Sequence, residues 1–389
     1  MILVGIDVAK DKHDCFIQTL DGKVLFKAFT ITNTQEGFDV LYAKIQSCND
    51  EQIRVGLEAT GHYSYNILGF LLNKGLTTFV FNPLQTKKFR ESLTLRKTKT
   101  DKVDAKTISM LLANQSDIDA YSLKLFKNED LKSLTRYRFR KVQEQSKLKL
   151  SLSRLVTILF PELESAVSTI HLNSIYEMLL KYPSAKDIAK STFSKLANLL
   201  EVTSKGKFDR EKAKEIRNLA RKSVGVYVSA KAMELRQTIE LIQVLDANIA
   251  EIESQIETKM QEIDSPITTI KGIGTMTVAV IHAEVGDFER FSSADKILAF
   301  AGLSPSTYQS GKFVSQHSKL DKRGSKYLRH TLFEAAKHVA RWSPIFNAYL
   351  KKKRSEGKHY YSAVCHVAKK LIRVIFHLQK TGEEFQICA

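Results

Sequence analysis

Cysteine is scarce and scattered: Cys15, Cys48, Cys365 and Cys388 are the four in 389 residues, and no two form a CxxC pair. That spacing argues against a disulfide framework and against a zinc site, and a reducing cytoplasmic location is expected. Long apolar runs are missing as well. The opening MILVGIDVAKDK holds about half a dozen apolar residues before Asp7, too few for a signal segment. No other stretch approaches the roughly 18 apolar residues of a membrane span, so no membrane partner is expected. Solenoid repeats and low-complexity tracts are absent too. Acids are in deficit: 42 Asp and Glu stand against 60 Lys and Arg, a net charge of +18. Such a surplus attracts polyanions and favours phosphate contacts that release counterions, which makes nucleic acid the first partner to consider.

What is present falls into three stretches, each long enough for a core of its own. In residues 1–122, ILVGID reads as a buried strand ending at Asp7, and HDCFIQTL and VLFKAFTIT flank the hairpin signal Asp21-Gly22. TQEGFDVLYAKIQ has helical spacing at Phe38, Leu41 and Ile45, and IRVGLE is a strand ending at Glu58. YSYNILGFLLNKG is a helix stopped by Gly75, LTTFVFNP a strand stopped by Pro83, and a further helix begins near Asp101. Three strands, helix, strand, helix, strand, helix is the element order of a ribonuclease H type α/β sheet.

Residues 123–262 carry helical patterns almost throughout. Leu235, Ile242, Ile249 and Ile256 recur every seven residues with Leu245 and Ile252 between them, a seam that fits either a dimerising coiled coil or a helix packed within its own domain. The mainly helical stretch 263–389 opens after Asp264-Ser265-Pro266. There Lys271, Gly272 and Gly274 form a helix-hairpin-helix-like turn whose backbone N–H groups could meet a phosphate. A loop rich in Ser, Gly and Lys then runs into a basic helix.

Four carboxylates stand out. Asp7 and Glu58 end two strands, and Asp101 and Asp104 lie near one helix start, where singly each would be an ordinary cap or solvated side chain. Brought together they would repel unless cations intervened, and an all-oxygen set suits Mg²⁺ or Mn²⁺. Arg96, Lys97, Lys99 and Lys102 beside them would draw a nucleic-acid backbone past the negative charge.

GIDVAKDKHD, LEATGHYSYNILGFLLNKG, FNPLQTKKFRESLTLRKTKTDKVDA and IKGIGTMTVAVIHAEVGDFERFSSADKILAFAGLSP, followed by QSGK and DKRGSKYLRHTLFEAA, resemble the IS110 family of insertion-sequence transposases, relatives of the Piv invertase. The resemblance covers both ends of the chain and is weak over roughly residues 125–260. It implies a RuvC-like domain whose Asp-Glu-Asp-Asp set falls on Asp7, Glu58, Asp101 and Asp104. It also implies a C-terminal transposase domain whose catalytic serine, by the QSGK block, falls on Ser310 rather than on Ser304, Ser306, Ser315 or Ser318. Family likeness further implies excision and insertion of DNA; a serine hydroxyl activated by metal can attack phosphorus and form a covalent phosphoserine, and we read the acids and the serine as composing one centre, in cis or in trans between protomers. The implied partners are double-stranded donor and target DNA, a structured guide RNA of the bridge type, and other protomers in dimers and tetramers.

On that reading Lys312, Arg323, Lys326 and Arg329 would hold the phosphate. His62 and Tyr63 read as packed aromatics, Trp342 as a core anchor, and the run Lys351 to Arg354 as a solvated helix end. The alternatives are a Piv-like invertase, a RuvC-like metal nuclease in which Ser310 is idle, and a non-catalytic nucleic-acid-binding protein whose acids are caps.

Overall fold

The structure, a computed structural model, describes residues 1–50, 52–59, 61–93, 101–114, 119–305, 309–310, 313–314 and 320–386. Arg96, Lys97, Lys99 and Lys312 lie outside the described residues, and for Asp101, Lys102 and Ser310 the backbone alone is described. Contacts gather the chain into two units, Met1–Asp130 with Gly286–Ser292, and Leu131–Val285 with Ser293–Ala389. The sequence pattern suggests three stretches; here the helical middle and the C-terminal stretch share the second unit.

The first unit is built on strands β1 (Ile2–Val8), β2 (Lys12–Thr19), β3 (Val24–Thr32), β4 (Ile53–Glu58) and β5 (Thr77–Phe81), in the order β3-β2-β1-β4-β5. β1 pairs antiparallel with β2 and parallel with β4, so the sheet is mixed. Helices α1 (Gln35–Gln46), α2 (Ser64–Asn73), α3 (Pro83–Leu93) and α4 (Asp101–Asn114) complete it. Period-two alternation gives each strand two faces. Ile2, Val4, Ile6 and Val8 join Cys15, Ile17, Val55 and Leu57 in a core shared with Phe38, Leu41 and Ile45 of α1 and with Ile67, Leu68 and Leu71 of α2. On the opposite face Leu3 clusters with Phe79, Phe81, Ile108, Leu111 and Leu112, which seats α4 there. Helix α3 is an addition to the expected order; Pro83, which reads as a strand stop, is also its first residue, where the missing N–H costs nothing.

Glycine makes the seating of α4 possible. A Cβ on Gly5 would stand 2.1 Å from the Ala105 carbonyl oxygen and 2.6 Å from the Ser109 nitrogen, both backbone atoms that cannot step aside. Gly5→Ala is therefore expected to destabilise the first unit by about 3 kcal/mol through overpacking. Denaturant unfolding followed by far-UV circular dichroism would check this.

The second unit begins with residues 131 onward of α5 (Leu123–Leu159), followed by α6 (Leu163–Ala166), α7 (Asn173–Lys181), α8 (Ala185–Lys190), α9 (Phe193–Thr203), α10 (Arg210–Lys222) and α11 (Ser229–Met260). Then come α12 (Thr275–Val285), α13 (Ala294–Phe300), the short β6 (Gln309–Ser310) and β7 (Phe313–Val314), α14 (Lys326–Trp342), α15 (Pro344–Ser355) and α16 (Tyr360–Thr381). α5 and α11 lie antiparallel, since Arg138 pairs with Glu253, Gln145 with Asp246, and Arg154 with Glu234.

The heptad seam of α11 is spent inside this unit. Leu235 and Ile242 are buried in one core with Leu152, Leu155 and Val156 of α5 and Ile175 and Leu179 of α7, and Leu245, Ile249, Ile252 and Ile256 are buried too. These side chains are thus unavailable as a seam between protomers, because a single-chain antiparallel pairing already satisfies the period. Trp342 also departs from expectation: it is 61% exposed, with the Arg341 guanidinium 5.5 Å from its ring centroid, and does not anchor the core. Among the described residues no helix is long and apolar enough to cross a membrane.

His282 of α12 is buried with its Nε2 2.8 Å from Ser265 Oγ, which also accepts a hydrogen bond from Gln379 Nε2 of α16. Burial pushes the imidazole pKa down to about 4 from 6.5. The unfolded chain then binds the extra proton first, so stability is full above pH 6.5 and is lost as pH falls toward 4. The expected loss is on the order of 3 kcal/mol, and His282→Gln should flatten that part of a stability-against-pH profile measured by denaturant titration.

Candidate active site

β1 and β4 run parallel with Ile6 level with Leu57, so Asp7 and Glu58, the next residues, stand side by side at the carboxyl ends of neighbouring strands. Ile6 and Leu57 point into the α1/α2 core, which turns Asp7 and Glu58 to the face that carries α4. Along β1, Leu3 clusters with Ile108, Leu111 and Leu112 while Gly5 abuts Ala105 and Ser109. α4 therefore runs opposite to β1, and its first turn, bearing Asp101 and Asp104, lies over the end where Asp7 sits. Strand order and helix direction bring these four backbone positions to one end of one sheet face.

Asp104 is nearly buried and accepts a 2.6 Å charge-assisted hydrogen bond from Arg90 Nη1 on α3. This fixed counter-charge is what lets a carboxylate sit there. Asp14 on β2 pairs directly across from Asp7, shares its face, is buried, and accepts a 2.6 Å bond from Thr30 Oγ1. Neither Arg90 nor Asp14 is among the residues singled out from the sequence. Asp14 can be found there by closing the β1/β2 hairpin at Lys10 and counting register, whereas Arg90 depends on α3, which the pattern does not signal. Among the described residues no group of three His, Cys, Asp or Glu side chains is arranged to hold an ion. Carboxylate oxygens are the donor type that suits Mg²⁺ or Mn²⁺.

In the second unit Ser310 ends β6, its backbone paired with Phe313 of β7. Gly272 takes φ +96° in the turn before α12, a backbone conformation that favours glycine, and a Cβ there would lie 3.1 Å from the His338 carbonyl on α14. A 3-10 turn, Pro266–Thr269, rather than a helix precedes it. Lys271 and Gly274 are exposed. Arg323 is largely exposed beside Asp321 at 3.6 Å, and Lys326 is exposed over the Tyr327 ring at 5.0 Å. Arg329 stands apart from these: its Nη1 donates to the carbonyls of Ala301 and Lys322, each at 3.1 Å, so it ties backbone to backbone. In the first unit the His62 and Tyr63 rings lie 4.0 Å apart, tilted at 48° to each other, with Tyr63 against the α1/α2 core.

The first unit carries acids at one end of a mixed sheet and the second unit carries Ser310; the comparisons with known proteins identify an enzyme of DNA transposition. Residues 4–161 match the transposase model of the IS110 type, and residues 264–351 match the transposase model of the IS116/IS110/IS902 family. The chain belongs to this family of transposases. It is 25% identical to the pilin gene-inverting protein of Moraxella bovis over 98% of this chain and 97% of that one. To an uncharacterized 44.8 kDa protein of insertion element IS116 from Streptomyces clavuligerus it is 24% identical over 99% and 96%. A mini-circle putative transposase for IS117 from Streptomyces coelicolor is 24% identical over 99% and 95%.

Proposed function

We propose that this transposase is an RNA-guided DNA recombinase that excises and inserts its element, cutting strands with the acids of the first unit and with Ser310. The observation that carries the reading is the meeting of Asp7, Glu58 and the first turn of α4 at one end of one sheet face. The strand order β3-β2-β1-β4-β5 supports a ribonuclease H type, RuvC-like assignment for that sheet.

Asp7, Glu58, Asp101 and Asp104 would hold Mg²⁺ or Mn²⁺. When bound, such an ion neutralises charge developing on a phosphodiester. Ser310 Oγ attacks phosphorus, so one Oγ–P ester bond forms as one bridging P–O bond to the sugar breaks. The serine proton passes to a base and the leaving sugar oxygen is protonated. Attack by a sugar hydroxyl on the phosphoserine reverses the exchange, and since one ester replaces another no nucleotide cofactor is consumed. Arg323, Lys326 and Lys271 are exposed cations suited to phosphate, with Lys312 in the same role, while Arg329 acts on the loop's own backbone. The excess of 18 positive charges supports binding of DNA and of a structured RNA transcribed beside the element.

The test is reconstitution from purified protein, donor end, target plasmid, Mg²⁺ and the flanking transcript. Recombinant junctions that require the transcript support the full reading. Junctions formed equally without it would favour a site-specific invertase, the activity that the Moraxella relative's name describes.

A further inference from the structure

The segment bearing Ser310 is closed by a tightly stitched stem. Asp321 N donates to Ser304 O at 2.9 Å, Pro305 bridges Leu320, and Ser325 N donates to Phe300 O at 2.8 Å. Gly324, at φ +134°, has no room for a Cβ, which would fall 2.3 Å from the Phe300 carbonyl oxygen. This stem rests on one buried charge. Glu284, in the last turn of α12 and with a side chain only 1% exposed, accepts Arg136 Nε at 2.6 Å and Nη2 at 2.8 Å. Its Oε2 also accepts Ser325 Oγ–H at 2.7 Å. The same Ser325 Oγ accepts Leu328 N at 3.1 Å and so caps α14, while the Arg136 guanidinium lies 4.8 Å from the Tyr327 ring centroid. Three helices and the closing end of the stem thus meet on one carboxylate. Neither the acid site nor the phosphate contacts proposed above use it, and a bidentate arginine pair is a geometric device whose value lies in fixing orientation.

We propose that Glu284, acting with Arg136 and Ser325, is a positioning residue for strand cleavage: its carboxylate fixes the stem that closes the Ser310 segment. The inference rests on the reading of Ser310 as nucleophile. Displacing a reacting group by about 1 Å costs up to about 100-fold in rate without a matching loss of binding.

The experiment uses the full chain with its RNA, DNA and Mg²⁺, and reads three quantities: single-turnover rate of protein–DNA adduct formation, DNA affinity, and melting temperature. Glu284→Gln is expected to slow adduct formation about 10- to 100-fold with DNA affinity within about twofold. The double variant Arg136→Met with Glu284→Met removes both charges, so neither is left buried and unpaired, and it should recover the wild-type melting temperature while remaining slow. Recovery of rate together with melting temperature in the double variant would overturn the proposal, as would a wild-type rate in Glu284→Gln. Ser310→Ala runs alongside. An adduct that persists in Ser310→Ala overturns the serine reading itself, whereas an adduct lost there but formed at full rate in Glu284→Gln overturns the positioning role alone.

Discussion

Ser310→Ala abolishes the covalent protein–DNA adduct and lowers strand transfer by roughly 10⁴-fold or more, the scale seen when a nucleophile is removed from a site whose other parts remain. Binding of donor and target DNA, read by filter retention, stays within about twofold, because a hydroxyl is a minor part of an interface dominated by phosphate contacts. A cleavage rate unchanged in Ser310→Ala would leave the acids as a plain metal nuclease and return the second unit to binding.

Asp7→Asn removes Mg²⁺-dependent cleavage by roughly 10³-fold, since developing charge at phosphorus loses part of its neutralisation. Asp104→Asn gives a similar loss of activity with a second consequence. It strips Arg90 of its partner at 2.6 Å and should lower stability by about 3 kcal/mol. Melting temperatures of the two variants, read beside their cleavage rates, separate catalysis from folding. Titration of Mn²⁺ followed by electron paramagnetic resonance supplies a readout independent of turnover. Both variants are expected to weaken Mn²⁺ binding, and unaltered binding in both would remove these carboxylates from any metal site.

How these side chains reach one place is partly legible in the sequence. The strand end at Glu58, the Asp21-Gly22 hairpin, and the α1 positions Phe38, Leu41 and Ile45 all follow from period and turn chemistry, and each stands where its pattern puts it, while β1 runs one residue past the expected end at Asp7, to Val8. Local rules work there because period-two alternation assigns each side chain to one face of the sheet. Long-range choices are less legible. The α11 heptads fit a partner helix, but a heptad pattern does not say whether that helix is in another protomer or, as with α5, in the same chain. Trp342 reads as a core anchor, yet α14 buries Leu328, Leu332, Ala335, Ala336 and Val339, and Trp342 falls off that stripe. Arg329 reads as a phosphate ligand, and only the positive-φ turn at Gly302 shows that backbone carbonyls claim it first. Glu284 lies within a matched motif but gives no signal in sequence, because its partner Arg136 is 148 residues away.

The most direct test of the central claim is to locate the phosphodiester on the protein. After reaction with Mg²⁺, DNA and RNA, the adduct is digested with nuclease and trypsin and analysed by tandem mass spectrometry. Cleavage after Lys296 and Lys312 yields ILAFAGLSPSTYQSGK, which contains Ser304, Ser306 and Ser310, while Ser315 and Ser318 fall in the next peptide. The account predicts a nucleotide mass on Ser310, absent without Mg²⁺ and absent in Asp7→Asn. A nucleotide on another residue, or product strands formed with no modified peptide, would contradict it.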